Sequence, residues 1–291
     1  MKAIIFGASG QDGFYLNKLL QKENAEVTGV SRSGGFLKAD LSSFKEVSEL
    51  ISRIQPDFIF HLAANSTTRH DALFENHETI ATGTLNILES VKEFSPGTKV
   101  FISGSGLQFL NEGKPIKESD PFAANDAYAV SRIQSVYAAR YFRTLGLKVY
   151  VGYFFNHDSP LRSERHMTKK ISAAAVRIAD GGSEKLEIGD MDAVKEWAFA
   201  GDIVKGIWLL VNQDAVFEAN ISNGEGHSIR EWVALCFRNK GLRYEDYVVK
   251  AEGFRSAYKQ LVSDNTLIQS LGYMPEVSFE ALAEKMLAEN E

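Results

Sequence analysis

Residues 2–14 read KAIIFGASGQDGF, a short apolar run that ends in glycine and passes straight into a helical pattern. Residues 2–6 have the length and residue types of a buried strand, and residues 14–22 continue with helical spacing. Between them Gly7, Gly10 and Gly13 stand three residues apart. Each answers a different need: Gly7 permits a tight turn, Gly10 lets backbone N–H groups approach a pyrophosphate, and Gly13 lets the helix pack close to the strand. Strand, glycine turn and helix in this order open a dinucleotide-binding βαβ unit. Gly7, Ser9, Gly10, Gln11, Asp12 and Gly13 are therefore the first candidates to hold such a ligand.

The same rhythm runs outward from this stretch. Apolar runs at 26–30, 58–62, 100–102 and 148–153 alternate with helical patterns at 44–54, 82–91 and 127–143. Short buried strands separated by helices predict an α/β fold, a Rossmann-type doubly wound parallel sheet. After Asn156 the rhythm breaks, and a charged, irregular stretch through Arg165 precedes an amphipathic segment near 169–179. Helices are expected at 203–211, 229–239 and 279–287, with a short strand at 215–221. The expected division is a dinucleotide-binding domain over 1–155, with 201–222 returning to it, and a smaller, interwoven substrate-binding lobe over 156–291.

Composition narrows the partners. The 291 residues are 44% hydrophobic, enough to bury a sizeable core, and the net charge of -6 gives no basic field for nucleic acid. The single cysteine, Cys236, cannot form an internal disulfide, which suits a reducing cytoplasm. The six histidines show no metal-ligand spacing, so no metal site is expected. The apolar run 3–6 is too short for a signal peptide, and no segment approaches the roughly 20 apolar residues of a membrane span.

The end of the second strand bears on cofactor choice. An NAD-specific protein places Asp or Glu there to bind the ribose 2′-hydroxyl. This chain has Val30-Ser31-Arg32-Ser33. Arg32 favours NADP, while NAD stays open, because a missing acidic residue permits NADP without requiring it.

The Gly-x-x-Gly-x-x-Gly spacing resembles the short-chain dehydrogenase/reductase superfamily. Over nearly the whole chain the sequence is similar to the extended members that act on nucleotide sugars, most closely the GDP-mannose 4,6-dehydratase family. The resemblance is carried by Gln11-Asp12, Gly83-Thr84, Tyr128, Phe155-Asn156-His157-Asp158-Ser159-Pro160, Thr168-Lys169-Lys170-Ile171, residues 189–197 and residues 272–279. It implies that Asp40-Leu41 positions the adenine and that Leu62, Ala63 and Ala64 line the cofactor cleft. It further implies a GDP-linked hexose as substrate, contacted by Asn156, Lys170, Lys195 and Arg255, with Arg162 beside them. A diphosphate in a cleft does call for lysine or arginine and an amide donor.

The catalytic positions depart from the family pattern. Its Tyr-x-x-x-Lys, whose lysine holds the nicotinamide ribose, is matched by Tyr128-Ala129-Val130-Ser131-Arg132, so the resemblance implies that Tyr128 and Arg132 also contact the cofactor. Arg132, one helical turn on, shares a face with Tyr128 and favours phenolate by charge, but guanidinium cannot relay a proton. By the resemblance Gly106 falls where the family has its catalytic Ser or Thr, and Gln108 where the dehydratase has a glutamate. Ser105 supplies a hydroxyl if the strand end is displaced by one residue. Ile80 stands in place of a structural Asn. The passage from Ser31 to Asp40 is short, which argues for a smaller assembly than a tetramer, a homodimer through the Tyr128 helix and the helix near 82–91.

Three readings stay open. The first is hydride transfer at C4 of a nucleotide hexose with Tyr128 as acid/base, as in a dehydratase, a GDP-4-keto-6-deoxyhexose reductase or an epimerase. The second is a catalytically degenerate protein that binds a dinucleotide or nucleotide sugar. The third is a general NADP-dependent carbonyl reductase.

Overall fold

The computed structural model describes residues 1–251, 253 and 256–288. Five parallel strands, β1 Lys2–Phe6, β2 Glu26–Val30, β3 Phe58–His61, β4 Lys99–Ser105 and β5 Lys148–Phe154, make most of one sheet. Across it the order is Glu218–Ile221, β5, β4, β3, β1, β2. In β1 the period of two is direct: Ile4 and Phe6 enter one core with Val47, Ile87 and Val136, while Ala3 and Ile5 enter the other with Leu16, Ile203 and Ile207. Helices therefore cover both faces, the doubly wound α/β arrangement that the alternating pattern predicts.

The order reverses at β1, which pairs with β2 on one side and β3 on the other. Chains leaving β1 and β3 diverge there, which opens a crevice at the carboxyl ends of the strands. Helix α1, Gln11–Lys22, begins at this crevice. A third core gathers Trp197, Trp232 and Phe279, with the two tryptophan rings stacked 4.8 Å apart, around the helices Met167–Ala179, Ile229–Asn239 and Phe279–Leu287. Strands of two or three residues border it: Gly226–Ser228 and Gln260–Leu261 both pair with Val194–Glu196. Among the described residues no helix is long and apolar enough to cross a membrane, and no group of three His, Cys, Asp or Glu could hold a metal ion.

Candidate active site

The glycines of the first turn divide by the need each meets. Gly7 has φ +93°, and a Cβ there would lie 2.7 Å from the Ala63 nitrogen. A Cβ on Gly13 would lie 2.4 Å from the Gly7 carbonyl oxygen. Both are required by the chain's own packing. Gly10 is not: its φ is −76°, and an added Cβ would meet only the Gly7 oxygen, at 3.4 Å. Its bareness serves the crevice that it lines. No side chain caps α1, and the N–H groups of Gln11, Asp12 and Gly13 find no acceptor among the described residues. An uncapped 12-residue helix offers these donors and its positive end to an anion.

The crevice is a cavity of about 780 Å³. It brings together Gly7, Ser9, Gly10, Arg32, Asp40, Leu41, Leu62, Ala63 and Ala64. Gln11 and Asp12 direct their side chains elsewhere. Gln11 Nε2 donates to the His157 carbonyl at 3.2 Å, Ser159 Oγ donates to Gln11 Oε1 at 2.9 Å, and His157 Nε2 pairs with Asp12 Oδ1 at 3.0 Å. Thus residues 157–159 are clamped onto the start of α1, and Gln11 and Asp12 face a ligand only through backbone. Burial opposes ionisation of both members of the Asp12–His157 pair, but their mutual attraction outweighs it, so Asp12 lies below its ordinary pKa and His157 above.

Five charged residues without any local sequence signal also line the cavity, Lys38, Glu46, Glu75, Glu78 and Arg165. Arg32 Nη2 donates to Glu75 Oε1 at 2.8 Å, and Asn65 Nδ2 donates to Glu75 Oε2 at 2.8 Å. Arg165 comes from the charged stretch before the Met167–Ala179 helix, and its Nε lies 3.3 Å from His166 Nε2.

Asp126 starts the helix Ala127–Thr144 by accepting from the Ala129 N–H at 2.8 Å, which sets Tyr128 in the first turn. Tyr128 is half-buried, and its hydroxyl makes no hydrogen bond among the described residues. The Arg132 guanidinium carbon lies 4.9 Å from its ring centroid. Arg132 is buried and donates to the Ser103 carbonyl and, at 2.8 Å, to Ser103 Oγ, which donates to the His61 carbonyl at 2.9 Å. The arginine thus joins the Tyr128 helix to the ends of β3 and β4. Burial first, and then the Arg132 charge, push the pKa of fully buried His61 to about 3, so it is neutral. Ile80, also fully buried, sits in the π-helical segment His77–Thr82 of the neighbouring helix.

Ser105 and Gln108 are bound to each other. Leu107 N–H donates to Ser105 Oγ at 3.2 Å and Ser105 N–H to Gln108 Oε1 at 2.9 Å, a capping box on the 3₁₀ turn Gly106–Gln108. Gln108 is fully buried, and its Nε2 has no partner among the described residues. The Phe155 ring lies over Gly106, where a Cβ would come within 2.7 Å of it.

Of the residues expected around a diphosphate, Arg162 donates to Asp158 Oδ1 at 3.1 Å, and Thr168 Oγ1 donates to Asp158 Oδ2 at 2.8 Å. Lys195 is close enough to feel both Asp158 and Arg162, and burial pushes its pKa to about 8. Its Nζ rests 5.0 Å from the Trp197 ring centroid and takes no hydrogen-bond acceptor among the described residues. The Asn156 side-chain oxygen is buried without a partner among the described residues. Lys170 stands apart, exposed and directed to the Glu187 carbonyl at 3.3 Å. Arg255 lies outside the described residues.

Comparison with known proteins adds relatives to this geometry. The sequence profile of the GDP-mannose 4,6 dehydratase family matches residues 4–286. GDP-mannose 4,6 dehydratase 2 of Arabidopsis thaliana is 32% identical over 321 residues, covering 99% of this chain and 86% of the relative. The Thermotoga maritima UDP-glucose 4-epimerase with UDP-glucose superposes with TM-score 0.88 at 20% identity, over 99% of this chain and 97% of that one. RMD of Pseudomonas aeruginosa, complexed with NADPH, gives TM-score 0.87 at 20% identity, over 98% and 97%. These two structures share its fold.

Proposed function

The chain belongs to the GDP-mannose 4,6-dehydratase family, and from that premise we propose that it oxidises or reduces C4 of a GDP-linked hexose, with Tyr128 as proton acid and base. The observation that carries this is the free Tyr128 hydroxyl beneath a fixed arginine, on the helix whose base is tied to β3 and β4. A nicotinamide dinucleotide, when bound, accepts or donates the hydride. The open N–H groups of α1 and the bare Gly10 suit its pyrophosphate, Asp40 to Leu41 and Leu62 to Ala64 its adenosine half, and Arg32 favours NADP. Tyr128 takes the proton from the C4 hydroxyl on oxidation and returns it on reduction. Arg132 packs over the Tyr128 ring and, unlike lysine, has no proton to give up in the cycle. Lys195, Arg162 and the Asn156 amide are the groups proposed to bind the GDP moiety, with Lys170 further out and Arg255 proposed on the resemblance alone.

Removal of water across C5 and C6 needs a base for the C5 proton and an acid for the leaving C6 hydroxyl, and neither Gly106 nor the Gln108 amide can serve. This favours reductase or epimerase chemistry over a full dehydration. The test is to incubate the protein and NADP(H) or NAD(H) with GDP-mannose, its 4-keto-6-deoxy derivative and other nucleotide sugars, following nicotinamide absorbance and product mass. Tyr128→Phe is expected to lower kcat by about 10²- to 10⁴-fold, far more than it weakens dinucleotide binding. Turnover that survives the substitution removes the tyrosine mechanism, and ligand binding without turnover across the panel favours a binding protein.

A further inference from the structure

Arg32 stands two residues past the end of β2, where doubly wound folds place the adenosine ribose of a dinucleotide. A guanidinium alone there draws a 2′-phosphate. In this chain it is not alone, because Glu75, 43 residues on, reaches it with a carboxylate oxygen at 2.8 Å. The other oxygen accepts from Asn65 at 2.8 Å, so Glu75 is held from both sides. The hydrogen bond from Arg32, and then that from Asn65, keep the Glu75 carboxyl below its usual range, hence ionised at neutral pH. Both side chains line the cavity.

The net charge of this pair is therefore close to zero. A 2′-phosphate, carrying about −1.5 to −2 charges at neutral pH, must separate Arg32 from Glu75 and then lie beside the displaced carboxylate. A 2′-hydroxyl can instead donate to Glu75 with the pair intact. β2 brings no acidic residue of its own to this place, and Glu75 brings one from the helical segment Leu73–Asn76. We infer that Glu75 is a cofactor-specificity residue: it admits the 2′-hydroxyl dinucleotide and offsets the preference that Arg32 gives to the 2′-phosphorylated one. This rests on the dinucleotide reading above.

The test is direct titration of NADH and NADPH into the full chain at fixed ionic strength, without sugar, read by nicotinamide fluorescence. Glu75→Gln, which keeps shape and removes charge, is expected to raise the ratio of the NADH Kd to the NADPH Kd about tenfold or more, with Glu75→Ala moving it the same way. Arg32→Ala is expected to lower the ratio, and adding Glu75→Gln to it to produce a smaller rise than in the parent background. A ratio that stays within about twofold of the parent in both Glu75 variants overturns the inference while leaving dinucleotide binding in place. A parent that binds neither dinucleotide overturns that reading and this inference together.

Discussion

At position 106 the absence of a side chain has become part of the packing. The Phe155 ring occupies the space that a threonine would need, with the nearest ring atom 2.7 Å from an ideal Cβ. Restoring a hydroxyl here is thus a repacking problem before it is a catalytic one. Gly106→Thr alone is expected to destabilise the chain by about 1–3 kcal/mol through overpacking, and Phe155→Leu in the same chain to recover part of that loss. Urea unfolding of the two variants checks it, and a Gly106→Thr protein as stable as the parent would show that Phe155 yields freely. Gln108 carries a similar lesson. The resemblance identifies its position, but that its Oε1 fixes the Ser105 N–H is a matter of local turn geometry, which spacing alone does not reveal.

Among the elements, α1 has two duties. Its backbone end stays open to an anion, while the side chains of its first turn hold residues 157–159 through Gln11 and Asp12. The sequence pattern showed the first duty, since the glycines and the strand before them are local. The second joins residues about 145 apart in the chain and has no periodic signature. It has a pH consequence. The folded-state pKa of His157 is raised by Asp12, so its contribution to stability is fully present below the unfolded value of about 6.5 and is lost as pH rises through the raised value. Asp12, shifted down, loses its contribution only in acid, below about pH 4, and does not blur this window. The stability that this pair contributes is therefore expected to fall from about pH 6.5 upward, and His157→Gln to remove that fall from the pH profile, leaving the rise that neutral His61 gives up to its unfolded value. Urea midpoints measured across this range decide it; an unchanged slope in the variant would remove His157 as the source.

For the whole molecule, legibility follows the distance over which a feature is determined. The parallel sheet could be read because its inner strands bury both faces and each helix repeats its own apolar stripe. The bordering strands of the third core, two or three residues long, are too short to show a period. Charges that meet across the cavity, such as Arg32 and Glu75, leave no trace in either neighbourhood. Arg165 is the most telling of these, because the rest of the cavity wall comes from residues 6–79. It lies on the same stretch as Arg162, which pairs with Asp158, and as His166, which feels the charges of Arg162, Arg165 and Lys195. A diphosphate drawn to Lys195 and Arg162 would order that stretch, and with it the Arg165 guanidinium facing the dinucleotide. Two ligands that both favour one arrangement of a segment must tighten each other's binding equally. Saturating GDP is accordingly expected to tighten NADPH binding to the parent by about fivefold or more, and Arg165→Ala to remove most of that gain while changing NADPH affinity less when GDP is absent. Fluorescence titration of NADPH with and without GDP gives the four constants required. Equal coupling in parent and variant would mean that Arg165 only lines the wall and transmits nothing between the two sites.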